Sequence, residues 1–170
     1  MTQTIQVIVH RVESLDDVEH MGKNDPYVQL TTDLTDKEGY KKTTVKKNAG
    51  RNAEFEEHLT LDSYDQQSDN YLFVEVLESD VGIDPPIGFT AIPLLQVKEA
   101  PHHALKGEFQ LYTPKGKEKG SIVSDQKKRI ETLKTNEKIN DVGAAAAIFG
   151  GLYALKKVHD ASKKPKNIEA

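Results

Sequence analysis

The chain has 170 residues, 36% hydrophobic and 29% charged, with a formal net charge of −4 and no cysteine. That length fits one domain with an appendage, and a domain of about 120 residues can bury enough surface to fold without staples. A disulfide framework and a thiolate zinc site are excluded, which is compatible with a reducing compartment.

At the N-terminus, Met1-Thr2-Gln3-Thr4 carries neither a basic region nor a long apolar run, so no secretory signal is expected. Thr2 stands where N-myristoylation requires glycine. Short β-type runs then recur between turn-rich segments, and no helix is expected before residue 124. Strands are predicted near 4–12, 26–32, 41–47, 55–61, 71–78, 87–93, 108–112 and 120–124. Ile5, Val7 and Val9 share one face, as do Leu72, Val74 and Val76, the period-two signature of half-buried strands. Eight such strands suit an all-β, two-sheet antiparallel sandwich.

Two acidic loops each follow a strand. The first is Leu15-Asp16-Asp17-Val18-Glu19-His20-Met21, leading into Gly22-Lys23-Asn24-Asp25-Pro26-Tyr27-Val28. The second is Glu78-Ser79-Asp80-Val81-Gly82-Ile83-Asp84. Two carboxylate-rich loops at strand mouths can meet at one end of a sandwich and form an oxygen-rich cup suited to a hard divalent cation, above all calcium. Met21 and Ile83 place apolar groups at the two loop tips. With the cup neutralised they could enter a lipid headgroup region; ordinary loop packing is the alternative.

The tail reads differently. Residues 1–124 sum to a charge of −8 and residues 125–170 to +4. An acidic domain argues against general nucleic-acid binding, and a basic tail suits a visit to anionic lipid. Residues 125–140 form a polar linker or helix, 141–162 an apolar Gly/Ala-rich α-helix, and 163–170 a disordered basic end. Asn140-Asp141 offers an N-cap and Lys156-Lys157 a favourable C-terminus. Fourteen helical residues would span about 21 Å, short of the roughly 30 Å hydrocarbon core. Gly143, Ala147 and Gly151 recur at a spacing that lets helices approach closely, beside the apolar Phe149, Leu152 and Leu155. A membrane-inserting anchor, a helix docked on the sandwich or on a partner subunit, and a flexible tail remain three open readings.

The run G-K-N-D-P-Y-V, then K-K-T-T-V-K-K from Lys41 to Lys47, N-A-E-F-E-E-H-L-T-L from Asn52, and L-F-V-E-V-L-E-S-D from Leu72, resembles the C2 domain in order and spacing. The close from Gly107 to Ile122 looks most like small proteins with one C2 domain. The resemblance covers about residues 3 to 124, making 1–124 the domain. It implies the circularly permuted topology whose extra strand is C-terminal. It also implies which carboxylates hold calcium. Asp25 and Glu19 match the first-loop pair, Glu78 and Asp80 match a D-x-D pair, Asp84 lies near the fifth position, and Asp17 and Asp16 are near enough to help. Glu replaces Asp at residues 19 and 78, adding rotamer entropy that binding must remove. One calcium rather than two or three is therefore expected; a solvated acidic rim without metal is the alternative.

The same resemblance makes Lys42 and Lys46, outward with Thr44 if Val45 points in, a candidate seat for a phosphoinositide headgroup. Gln29 stands where the family pattern has a further lysine, and a solvated charged face is the competing reading. His102-His103 has no spaced metal-binding partner in the sequence, and no nucleophile elbow or Gly-rich phosphate loop suggests an enzyme. The expectation is a cytoplasmic, peripheral protein that binds anionic phospholipid under calcium control. The alternative is a calcium-independent protein-interaction module that oligomerises through its C-terminal helix.

Overall fold

The computed structural model describes residues 3–65 and 69–128. The expected linker beyond residue 128, the apolar helix with Gly143, Ala147, Phe149, Gly151, Leu152 and Leu155, and the basic end lie outside the described residues.

Alternation governs the strands. β1 (Gln3–Glu13) turns Ile5, Val7 and Val9 fully inward. A bulge between Val9 and Arg11 then shifts the register, so that Val12 rather than Arg11 faces the core. β2 (Pro26–Thr31) and β5 (Tyr71–Glu78) pair antiparallel, with Pro26 opposite Glu78 and Thr31 opposite Phe73. β6 (Pro86–Pro93) follows β5, while β4 (Ala53–Tyr64) and β8 (Glu118–Lys128) flank β1. With β3 (Lys41–Lys42) and β7 (Ala104–Tyr112), the strand order is β3-β2-β5-β6-β7-β8-β1-β4. β6 and β7 are paired at one position only, Phe89 with Tyr112, so the order folds at that seam into a sandwich of two four-stranded layers. One core joins them, with Val28, Leu30, Leu72, Val74 and Val76 from one layer and Ile5, Val7, Leu61, Leu111 and Ile122 from the other. β8 lies beside β1 at the C-terminal end of the domain, as the permuted topology requires.

β4 and β7 run longer than expected, and three other elements also differ from expectation. β3 is only Lys41–Lys42, because Thr43 turns inward and its hydroxyl accepts the Val28 amide at 2.9 Å, a bond that a strand backbone would otherwise provide. β8 runs on to Lys128 through polar residues. A helix does precede residue 124: α1 (Leu94–Glu99) buries Leu94 and Val97, three apart on one face. Six residues are too few to display helical periodicity in a sequence.

Strand directions gather the loops of residues 14–25, 43–52, 79–85 and 113–117 at one end of the sandwich. Gly120 fixes the start of the first of them. Its φ is +77°, and a Cβ there would sit 2.8 Å from the Glu13 carbonyl oxygen and 3.0 Å from that of Ser14.

Candidate functional site

The first loop is pinned from beneath. Leu15 is fully buried, and its amide donates to the Arg51 carbonyl at 3.0 Å. Asn24 is also wholly buried. Its Oδ1 accepts the Val18 amide at 3.2 Å, and its Nδ2 donates to the Asp16 carbonyl at 2.8 Å. Its own carbonyl accepts the Gly50 amide at 2.9 Å. One side chain thereby closes the loop on itself while its backbone ties it to residues 43–52.

Asp25 follows at the mouth of β2. Its amide donates to both carboxylate oxygens of Glu78, at 2.9 and 2.8 Å, and its carbonyl accepts the Ser79 amide at 3.1 Å. Its carboxylate accepts the Asn48 amide and, at 3.0 Å, the Lys47 ammonium. The Asn48 hydrogen bond first, and Lys47 second, hold the Asp25 carboxyl below the ordinary aspartate range.

Glu78 is 1% exposed. Burial pushes its carboxyl above the ordinary glutamate value, and the nearby charges of Asp25, Glu19 and Asp80 push the same way against the Asp25 hydrogen bond. The three carboxylates from two loops therefore share one field with Glu78. Asp80 donates its amide to Asp84 Oδ1 at 3.0 Å and accepts the Val81 amide at 2.6 Å. Asp84 Oδ2 accepts the Tyr27 hydroxyl at 2.6 Å, which ties the second loop to β2. Glu19 accepts the Met21 amide at 3.2 Å, and Asp17 stands exposed on the same loop.

The tips of both loops are bare. Met21 is 89% exposed, Val81 99% and Ile83 64%, and these are the exposed large hydrophobics among the described residues. Gly82, between two of them, has a φ of +100°, the left-handed turn that lets neighbours project outward together. Met21 and Ile83 are the tips expected from the sequence; Val81, the most exposed of the three, is not among those expected.

The lysine strand divides. Lys42 is exposed, with its ammonium 5.9 Å from the Tyr27 ring centre. Lys46 lies 5.6 Å from the Phe55 ring centre and 3.6 Å from Glu57, so its charge is already matched. A buried carboxylate, Glu75, accepts from Gln29 at 3.0 Å and from Tyr40 at 3.2 Å, on the strand next to that of Lys42's partner Gln29.

The donor set suits a hard cation in its chemistry and its placement at one end of the sandwich. In the arrangement described, the carboxylates of Asp25, Glu78 and Asp84 accept from protein donors through both oxygens, and no group of three or more His, Asp or Glu among the described residues stands in metal-ligating geometry. A metal held here would draw on Asp25, Asp80, Glu19, Glu78 and Asp84, with these hydrogen bonds yielding in part.

The site and sandwich together define a β-domain that presents an acidic end rimmed with apolar tips. The C2 domain family model matches residues 3–111, and the chain belongs to that family. Members of the family are in general membrane- and calcium-binding modules, typically without catalysis of their own. The first C2 domain of plant Extended Synaptotagmin 1 is similar at 26% identity, with a TM-score of 0.62, covering 77% of this chain and 97% of that one. A C2 domain-containing protein from a putative elicitor-responsive gene is similar at 22% identity, with a TM-score of 0.59, covering 79% and 94%. The calcium-bound pair of C2 domains from Extended-Synaptotagmin 2 is similar at 18% identity and a TM-score of 0.60, covering 74% of this chain and 45% of that one. No curated protein sequence matches the chain. Among the described residues no helix is long and apolar enough to cross a membrane.

Proposed function

We propose that this protein attaches peripherally to anionic phospholipid membranes through the tips of its two acidic loops, under the control of calcium. The observation that carries the reading is the placement of Met21, Val81 and Ile83. All three exposed large hydrophobics of the described residues lie on the loops that hold the carboxylates. Such a patch in water costs free energy that insertion at a headgroup boundary recovers.

Asp25 and Asp80 are the principal ligands, with help from Glu19, Glu78 and Asp84, and Asp17 at the edge. Bound calcium supplies positive charge that offsets these carboxylates. Without that offset, the same residues repel an anionic surface and hold the tips away from it. Asn24 holds the first loop closed and Glu78 ties the Asp25 amide to the start of the second, so the tips of both stand at one end of the sandwich. The buried Glu75 carboxylate and the Lys46–Glu57 pair weaken the case for a phosphoinositide seat at Lys42 and Lys46.

Vesicle flotation tests the reading. The full chain is expected to float with phosphatidylserine-containing vesicles in calcium, and to stay behind with neutral vesicles or in chelator. Equal flotation with both lipid types would overturn the electrostatic part, and no flotation at millimolar calcium would overturn the whole.

A further inference from the structure

The loop of residues 43–52 does more than connect two strands. It is laced to the segment around Asp25 on both sides: the Lys46 amide donates to the Pro26 carbonyl at 3.0 Å, and the Gly50 amide to the Asn24 carbonyl at 2.9 Å. Between those two anchors stand Lys47 and Asn48, and both reach Asp25. Asn48 has a φ of +58°, a left-handed conformation that asparagine tolerates, and its amide meets one carboxylate oxygen. The Lys47 ammonium meets the other at 3.0 Å. Asp25 is thus served by one positive charge and one amide, both delivered by a loop whose backbone is fixed.

The Lys47 side chain is 69% exposed, whereas that of Asp25 is 24% exposed. The ammonium is therefore free to swing into water while the carboxylate stays at the cup. Two cations repel at contact distance, so a metal ion that draws on Asp25 and the Lys47 ammonium oppose each other there. We propose that Lys47 is a resident counter-cation that competes with the metal for Asp25 and so sets how tightly the cup holds calcium. This deepens the calcium reading above and rests on it. In the metal-free protein Lys47 neutralises one carboxylate and steadies the loops. When displaced, it remains anchored at the same end of the sandwich as Met21, Val81 and Ile83, where its freed charge faces an anionic surface.

The experiment is calorimetric titration of calcium into the full chain as wild type, Lys47→Gln and Lys37→Gln. Lys37 lies on the loop between β2 and β3, at the other end of the sandwich, and controls for the change in net charge. Lys47→Gln is expected to tighten calcium binding by about two- to fivefold, the fold-change that an exposed ion pair is worth. Lys37→Gln is expected to leave it unchanged. If the wild type takes calcium and Lys47→Gln takes it with the same or lower affinity, the competition is refuted while the calcium reading stands. Equal tightening by Lys37→Gln would also refute it, since net charge alone would then suffice. If only Lys47→Gln takes calcium, the competition is upheld and calcium control of the wild type falls. If neither takes calcium at millimolar metal, both fall.

Discussion

Removing the Asn24 amide should loosen the acidic end more than any other single truncation of a polar side chain in the first loop. The side chain is wholly buried, and Asn24→Ala deletes the partner of the Val18 amide and of the Asp16 carbonyl. Each buried polar group left unpaired costs about 1–3 kcal/mol. Asp16 and Val18 are only half-buried, so water recovers part of that and the low end applies to each. The expected loss is about 2–3 kcal/mol, which for a domain near 120 residues lowers Tm by about 8–12 °C. The assay is thermal unfolding of the full chain by circular dichroism in chelator, so that bound metal does not contribute. Asn24→Asp keeps an acceptor for the Val18 amide; ionised, it has no donor for the Asp16 carbonyl, and it regains an O–H donor only when the carboxyl is neutral, so its deficit against wild type should shrink in acid. A Tm within about 2 °C of wild type for Asn24→Ala, well under 1 kcal/mol, would show that the loop does not depend on this side chain.

Further outcomes follow from the same geometry. Val81→Asp, Ile83→Asp and Met21→Asp should each weaken partitioning onto phosphatidylserine vesicles by about tenfold or more, since each apolar side chain is worth about 1.5–3 kcal/mol when fully buried; calcium affinity in solution should hold, and unchanged partitioning in all three would remove the tips from the interface. Asp80→Asn should weaken calcium binding strongly while leaving Tm in chelator nearly unchanged, because Asp80 is exposed and its hydrogen bonds are local; a collapse of the fold would refute that separation. Burial pushes the Glu57 carboxyl up, but hydrogen bonds from the Thr44 hydroxyl and amide, with the charge of Lys46, outweigh it and hold the carboxyl below its ordinary value. A depressed carboxylate stabilises the fold above its unfolded pKa and loses that contribution as pH falls through the folded pKa. The Tm difference between wild type and Glu57→Gln should therefore be present at neutral pH and vanish in acid; a difference that grows in acid would contradict the sign.

Much of the sandwich is legible in the sequence because alternation is a local signal. Leu72, Val74 and Val76 announce their inward face, and the structure buries all three. What is not local is not legible. The bulge after Val9 follows from pairing with β4, the inward turn of Thr43 follows from the Val28 amide across the sheet, and α1 is too short for its Leu94–Val97 face to register as a period. The polar end of β8 is held by its place beside β1 rather than by any apolar pattern of its own. At the site, spacing brings Glu19, Asp25, Glu78 and Asp80 forward as carboxylates of two loops, and all four share one field. Spacing does not say which way their oxygens turn. That Glu78 folds inward onto the Asp25 amide, and that Lys47 and Asn48 cap Asp25, are facts of long-range packing. Asn24 lies inside the run G-K-N-D-P-Y-V, yet only its burial shows that it holds the loop.

The chain contains no cysteine, so Val81→Cys provides one labelling position at the most exposed tip. A polarity-sensitive fluorophore there reports directly whether that tip leaves water. The expected result is a blue shift on mixing the labelled full chain with phosphatidylserine vesicles in calcium, reversed by chelator and absent with neutral vesicles. An unshifted spectrum at millimolar calcium, or the same shift on neutral vesicles, would contradict calcium-controlled attachment through the acidic end.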